Sequence, residues 1–241
     1  MEKIRLDRYL ANCGIGSRKE VRHIIKKGIV LVDGTPVKDP NYKVMPNKSE
    51  IVVDGQRIIY KQFIYLMMNK PPGVISATSD SKHTTVIDLV SESWAHRNLF
   101  PVGRLDKDTE GLLILTDDGL LAHKLLSPKN RVPKTYYAVV EGKVTEQDVE
   151  TFKRGIQLEE DFTTLPSELA ILEANNNSKV HITIYEGKFH QIKRMFEAVG
   201  KKVIYLKRIS MGNLKLDEKL GLGEFRELRD EEIELLQKSV E

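Results

Sequence analysis

The chain contains one cysteine, Cys13, in 241 residues. A single cysteine excludes an internal disulfide and a multi-cysteine zinc site, and we expect it to be a small buried residue. No stretch approaches the roughly 18 consecutive apolar residues of a membrane span, and the charged residues 1–7 lack the apolar core of a signal peptide. We therefore expect a cytoplasmic protein without a membrane partner.

The sequence also lacks the motifs that bind common cofactors. It has no Walker loop, no dinucleotide-binding glycine pattern and no His-Glu-x-x-His motif. Its six histidines are scattered, without the spacing of metal ligands. We expect chemistry that needs neither a cofactor nor a metal.

The charge that is present is unevenly distributed. Residues 1–60 carry 12 Lys and Arg against 7 Asp and Glu, whereas residues 217–241 carry 4 against 9. A basic front part predicts a polyanionic partner. The length allows one large domain and a small one, and the acidic helix predicted at residues 230–238 should face solvent.

The basic front part has its own pattern of elements. Apolar spacing predicts a helix near residues 4–11, and Ser17 with Glu20 forms a capping box for a second helix at residues 18–27. Residues 30–37 predict two strands joined by an Asp-Gly turn, and residues 51–55 predict another short strand and turn. The helix pair presents basic side chains that suit RNA phosphates, although such a pair can also be merely solvated. These side chains are Arg5, Arg8, Arg18, Lys19 and Arg22.

The centre of the chain is the string GRLDKDTEGLLILTDDG, residues 103–119. In an extended chain Arg104 and Asp106 share one face while Leu105 takes the other. The nearby cations favour the ionised carboxylate, which can act as a nucleophile without a separate base. Residues 112–116 predict a buried strand, and the closing Asp-Asp-Gly predicts a hairpin-type turn. A lone Arg-x-Asp, however, is more often a surface ion pair.

Both stretches resemble known families. The central string resembles the catalytic motif of the RNA pseudouridine synthases, in particular those that modify single sites in ribosomal RNA. The front part, with Arg-Leu-Asp, Gly-x-x-Ser-Arg and Gly-x-Val-x-Val-x-Gly, resembles an S4 RNA-binding domain. The resemblance implies an α+β protein: a small S4-like ααβ domain, then a larger mixed, mainly antiparallel sheet with flanking helices and a central cleft. We expect domains at residues 1–58 and 64–241, with a connector at 59–63.

The resemblance also implies the roles of particular residues. Asp106 would be the nucleophile or base, and Tyr136, in a Lys-x-Tyr motif, would lie against the uracil. Lys193, in Gln-Ile-Lys-Arg-Met, would keep Asp106 ionised, while Arg104 would fill the space of the flipped uridine. Leu206 would line the pocket. The start of the helix predicted at residues 188–199 would form a phosphate site, to which we assign Lys188, His190, Gln191 and Arg194.

Several alternatives remain open at this point. His190 and Lys193 are more like the enzymes of small-subunit 16S ribosomal RNA, because many large-subunit 23S enzymes carry arginine at both positions. A glycosidase would need a second carboxylate, for which Glu110 or Asp108 is available. A non-catalytic S4-domain assembly factor would explain only residues 1–60. We expect a monomeric synthase that acts on ribosomal RNA, free or in an assembling subunit, with a mobile loop at residues 76–85.

Overall fold

The computed structural model describes residues 2–240, without the side chain of Ser93. Met1 and Glu241, the outer bounds of the two expected domains, lie outside the described residues. The chain divides into two compact units, the first formed by residues up to 64 together with Ser91–Asn98, and the second by Tyr65–Val90 and the residues from Leu99 onward. The sequence instead predicted a connector at 59–63 and placed residues 91–98 in the second domain. None of the helices within residues 2–240 is long and apolar enough to cross a membrane.

The first unit is built from short elements. In chain order they are β1 Ile4–Arg5, α1 Leu6–Asn12, α2 Arg18–Lys26, β2 Val30–Val32, β3 Thr35–Pro36, β4 Lys43–Val44, β5 Ile51–Val53, β6 Gln56–Ile58 and α3 Ser91–Trp94. Strands β3, β2, β5 and β6 form an antiparallel sheet in that order, and β1 pairs with β4.

Local sequence explains these elements well. Ser17 caps α2 by accepting a hydrogen bond from the Glu20 backbone N–H, and the Glu20 carboxylate accepts one in return, so the predicted capping box is confirmed. The Asp-Gly pairs at β2–β3 and β5–β6 turn with positive φ at both residues, as a tight hairpin requires. One face of each helix packs on the sheet, with Leu6, Leu10 and Ile25 fully buried. Cys13 is only half-buried.

The second unit contains the remaining elements. They are β7 Tyr65–Lys70, β8 Phe100–Pro101, β9 Glu110–Thr116, α4 Gly119–Leu126, a 3-10 turn Pro128–Asn130, β10 Lys134–Glu141, α5 Glu146–Arg154, β11 Gln157–Glu159, β12 Phe162–Thr163, β13 Glu168–Glu173, β14 Asn177–Ile184, α6 Gln191–Ala198, β15 Lys202–Met211, β16 Leu214–Lys215, β17 Phe225–Glu227 and α7 Asp230–Lys238.

The large sheet runs in the order β13, β14, β10, β15, β9, β7 and β17, with β16 beside β15 and β8 beside β9. Among the strand pairs within residues 2–240, only β15–β9 is parallel, which confirms the predicted mixed, mainly antiparallel sheet. Where these two strands meet, a Cβ at Gly111 would lie 2.2 Å from the Arg208 carbonyl oxygen. Glycine is therefore required for β9 to approach β15.

The turn predicted from Asp117-Asp118-Gly119 is wrong. Asp118 ends the loop after β9 and begins α4, since its Oδ1 accepts hydrogen bonds from the backbone N–H groups of Leu120 and Leu121 at 3.1 and 3.0 Å. The same Asp-Gly signal that marks a hairpin also marks a helix N-cap. Because Asp118 also accepts a hydrogen bond from the buried Tyr65 hydroxyl at 2.7 Å, tertiary contacts favour the cap.

Candidate active site

The loop that carries Asp106 joins β8 to β9 and is held by hydrogen bonds from a buried lysine. Lys70, fully buried at the end of β7, donates from Nζ to the backbone carbonyls of Thr109 at 2.9 Å, Pro71 at 3.0 Å and Lys107 at 3.3 Å. Burial lowers the pKa of Lys70 to about 8, although the neighbouring carboxylates oppose this shift. The lysine therefore holds the loop through three carbonyl groups.

A second contact fixes the loop beside Asp106 itself. The buried Ser76 hydroxyl accepts a hydrogen bond from the Leu105 N–H and donates one to the Leu105 carbonyl, both at 3.0 Å. Leu105 is buried while Arg104 is exposed and Asp106 half-buried, as the predicted alternation requires. The mobile loop predicted at residues 76–85 thus has anchored ends, because Thr85 is also fully buried.

Asp106 lies in a small cluster of charged groups. Lys193 Nζ, on the first turn of α6, lies 3.3 Å from Asp106 Oδ2 and donates to both Asp108 oxygens at 2.7 and 2.9 Å. Burial opposes the charge of Lys193, yet the ion pairs with Asp108 and Asp106 raise its pKa above the ordinary value. Burial likewise works against ionised Asp108, but the Lys193 hydrogen bond lowers its pKa. The structure brings Lys193 to Asp106, as the sequence predicted.

His190 approaches the other oxygen of the same carboxylate. Its Nε2 lies 3.8 Å from Asp106 Oδ1, and its backbone adopts the left-handed conformation with φ 48° and ψ 31° immediately before α6. A left-handed histidine is uncommon and marks a place where surrounding contacts fix the backbone. The sequence predicts a helix that begins at Lys188, but the helix begins three residues later, at Gln191.

Tyr136 and Leu206 lie on neighbouring strands and share one face of the sheet. Tyr136 on β10 pairs with Arg208 on β15, which in turn pairs with Gly111 on β9, while Leu206 pairs with Ala138. Two strand spacings place the Tyr136 Cα roughly 10 Å from the start of β9. Both Tyr136 and Leu206 are buried. Their predicted contacts with uracil stay predictions.

Arg208, which the sequence did not single out, lies on β15 between its pairing partners Tyr136 on β10 and Gly111 on β9. Its side chain is 2% exposed, and its Nε donates to the Leu112 carbonyl at 2.7 Å. Within residues 2–240 its Nη2 has no hydrogen-bond partner. The sequence did contain a signal for Arg208, because an arginine within a predicted strand costs free energy to bury unless its charge is compensated.

The remaining residues predicted around α6 divide into two groups. Arg104 and Lys188 are exposed, and Lys188 Nζ lies 5.2 Å from the centre of the Phe162 ring. Arg194 instead binds Glu159 at 2.7 Å. The buried Gln191 also differs from expectation, since its amide oxygen accepts from the Lys188 N–H at 2.9 Å. Arg194 and Gln191 thus make contacts within the protein, whereas the exposed Lys188 stays a predicted contact with RNA.

The basic side chains predicted to bind RNA in the first unit also differ from one another. Arg5 binds the buried Asp7 through Nε at 3.0 Å, and Arg22 lies 3.8 Å from the same carboxylate. Arg8, Arg18 and Lys19 are exposed. Arg8 and Arg18 line one polar groove of this unit, to which the segment 91–98 contributes His96 and Asn98. No three His, Cys, Asp or Glu side chains within residues 2–240 form a group able to hold a metal ion.

The loop before β9 carries a carboxylate paired with a lysine, and the chain begins with a basic helix pair; both features fit an enzyme that acts on RNA. The family model of RNA pseudouridylate synthases matches residues 64–198, and that of the S4 domain matches residues 4–48. The chain belongs to the RNA pseudouridylate synthase family, with an N-terminal S4 domain, and is an isomerase.

Similar proteins cover nearly the whole chain. An uncharacterized RNA pseudouridine synthase of Bacillus subtilis, YtzG, is 49% identical over 97% of this chain and 98% of its own length. The ribosomal small subunit pseudouridine synthase A of Escherichia coli is 38% identical over 95% of this chain and 98% of its own. A crystal structure of a pseudouridylate synthase, 36% identical, covers 97% of this chain and 99% of its own, with a TM-score of 0.68.

Proposed function

We propose that this protein converts one uridine of small-subunit 16S ribosomal RNA to pseudouridine without a cofactor, and that Asp106 is its catalytic carboxylate. The relative from Escherichia coli named for the ribosomal small subunit supports the choice of RNA. The observation that carries the choice of residue is the approach of Lys193 and His190 to the two oxygens of Asp106, at 3.3 and 3.8 Å.

The chemistry balances without any other reagent. The bond between ribose C1′ and uracil N1 breaks, the uracil turns, and C5 bonds to C1′. The proton lost from C5 is balanced by a proton gained at N1, so the reaction is an isomerisation. Asp106 acts at the ribose, either by attacking C1′ or by removing a ribose proton, and Lys193 keeps a countercharge beside it. Tyr136 is assigned to the uracil face and to the C5 proton.

The test is to incubate the purified protein with 16S and with 23S ribosomal RNA transcripts and to map pseudouridine in both. We expect one new site in 16S RNA, none in 23S RNA, and no free uracil, which a glycosidase would release. A 16S particle assembled with ribosomal proteins distinguishes free RNA from an assembling subunit as the substrate. A site in 23S RNA alone would contradict the proposed target.

The variant Asp106→Asn tests the residue. It is nearly isosteric but cannot be an anion, so we expect pseudouridine formation to fall below detection. RNA affinity should stay within about tenfold, or ~1.4 kcal/mol, because it comes mainly from phosphate contacts by Lys and Arg. Conversion by Asp106→Asn at a rate comparable to the parent enzyme would remove Asp106 from the proposed mechanism.

A further inference from the structure

The loop before α6 carries an aromatic side chain with no packing role in the core. Phe189 is 75% exposed, the highest value among the large hydrophobic side chains within residues 2–240. One face of its ring stacks on the His190 ring, with ring centres 3.8 Å apart and planes inclined by 16°. The stacking covers one face of the phenyl ring, and the high exposure of the side chain leaves the other open to solvent.

The exposed ring is held in a defined position. Gln191 accepts a hydrogen bond from the Lys188 N–H at 2.9 Å and donates one to Glu186 at 3.1 Å. Glu186 also accepts the Leu165 N–H at 2.8 Å. These contacts brace the loop on both sides of Phe189, and the left-handed backbone of His190 fixes its direction. A braced aromatic ring loses little conformational entropy when a ligand stacks on it.

The position of the ring points to its ligand. His190 joins Phe189 to the catalytic cluster, since its Nε2 is 3.8 Å from Asp106, and the exposed Lys188 adds positive charge to the same loop. A flat apolar face among cations suits an unpaired nucleobase, which stacks on aromatic rings while its phosphates meet Lys and Arg. His190 therefore contacts Phe189 through its ring and Asp106 through Nε2, which suits a base beside the nucleotide that reacts at Asp106.

We propose that Phe189, supported by His190, is a stacking subsite for the RNA base next to the target uridine. This subsite deepens the function proposed above and rests on it. A base held there would keep the strand open on one side of the flipped uridine. It would also favour targets with an unpaired neighbour, because a base inside a duplex offers no free face.

The experiment measures binding of a 16S ribosomal RNA transcript over a series of salt concentrations. An aromatic ring that stacks on a base contributes to affinity independently of salt, so Phe189→Ala should lower affinity about tenfold, or ~1.4 kcal/mol, at every salt concentration. The slope of affinity against salt should stay unchanged, because no phosphate contact is lost. Phe189→Trp should bind within about threefold of the parent, and Phe189→Leu, which keeps apolar bulk without a ring, should resemble Phe189→Ala.

Two controls make the result specific. Leu120→Ala removes another exposed apolar side chain of the same unit, 71% exposed, and should change neither affinity nor slope. Lys188→Ala should reduce the salt slope by about one unit if this lysine binds phosphate. Phe189 variants that bind like Leu120→Ala, a Phe189→Trp variant as weak as Phe189→Ala, or an altered slope in Phe189→Ala would each overturn the stacking subsite.

The outcome is separate from that of the proposed target. If the parent enzyme leaves 16S RNA unmodified while Phe189→Ala still loses affinity independently of salt, the target is wrong and the subsite stands. If the parent modifies 16S RNA and Phe189→Ala matches it in affinity and turnover, the function stands and the subsite is wrong.

Discussion

Lys193 interacts with two carboxylates, and its shorter contacts are with Asp108. It donates to Asp108 at 2.7 and 2.9 Å and lies 3.3 Å from Asp106. Asp108 is 73% exposed, whereas Asp106 is 27% exposed. An exposed partner is well hydrated and adds little net attraction, so we expect the ion pair with the less exposed Asp106 to be the one that serves the proposed reaction.

The variant Lys193→Met tests this view. It removes the nearest cation from Asp106 but keeps an apolar stem of similar length, so we expect turnover to fall at least tenfold. The measurement is single-turnover pseudouridine formation, and an unchanged rate would contradict the assignment of Lys193.

Asp108→Asn is the matched control for both carboxylate predictions. It removes the second partner of Lys193 and leaves the lysine free to approach Asp106. We expect most of the activity to remain, since the charge beside Asp106 is kept. A loss as deep as that of Asp106→Asn would mean that Asp108 takes part in the reaction.

The sequence predicted the proposed catalytic side chains better than the residues that hold their loop in place. Asp106 and Lys193 are 87 positions apart, yet short motifs identified both, and the structure brings them together. Ser76 and Lys70 were not predicted, because their partners are backbone carbonyl and N–H groups of a distant loop. No local pattern encodes such contacts, since any residue can supply the backbone group.

The same distinction holds for whole elements. Strand β10 alternates buried and half-buried residues as its sequence predicts, and β9 is the continuous buried strand expected from residues 112–116. The acidic helix α7 was predicted to face solvent, and this is wrong for two of its side chains. Leu236 is fully buried, and Glu232 binds Arg226 through both oxygens at 2.8 Å. The contact with Arg226 on β17 explains why an acidic helix packs against the sheet, which the sequence of the helix alone does not indicate.

The ion pair between Arg226 and Glu232 should make the free energy of unfolding depend on pH. Arg226 hydrogen bonds lower the pKa of Glu232 from 4.5 to about 2 in the folded protein. Because the folded value is the lower one, the contribution to stability is complete above about pH 4.5 and is lost as the pH falls towards 2. We expect Glu232→Gln to reduce the free energy of unfolding by about 2 kcal/mol at pH 7, and by much less near pH 2.5.

Denaturant unfolding at several pH values measures this effect. Glu234→Gln is the control, because Glu234 is exposed and lies 3.7 Å from Lys238 on the same helix. Exposed pairs of this kind contribute only a few tenths of a kcal/mol. If the two variants show the same dependence on pH, the Arg226–Glu232 pair does not anchor α7.

At the scale of the whole molecule, domain order could be predicted from the sequence but the boundary could not. Motifs and the excess of basic residues correctly separated an S4 domain from the synthase domain. The segment 91–98 belongs to the first unit, although it lies between strands β7 and β8 of the second. Arg97 anchors it by donating to the Asn12 carbonyl at 3.1 Å and the Gln62 carbonyl at 3.0 Å. Because Asn12 and Arg97 are 85 positions apart, the local composition around neither residue predicts this contact.

This arrangement changes what a truncated protein should do. A chain that begins at Gln62 keeps all strands of the large sheet and the buried cluster around Met67, Leu112 and Ile114. It should therefore unfold cooperatively, but the segment 91–98 loses the residues on which it packs in the first unit. We expect cleavage by trypsin at Arg97 to become fast in the truncated chain and to stay slow in the full chain, where this side chain is 8% exposed.

The same truncation tests the role of the S4 domain in binding RNA. It removes 12 Lys and Arg within residues 1–60, among them the exposed Arg8, Arg18 and Lys19, and each lost phosphate contact lowers the salt slope by about one unit. We expect weaker binding of 16S ribosomal RNA with a slope shallower by about two or three units. Turnover of bound RNA should persist, because Asp106, Tyr136 and Lys193 remain. Equal salt slopes for the full and truncated chains would show that the basic helix pair does not contact the RNA backbone.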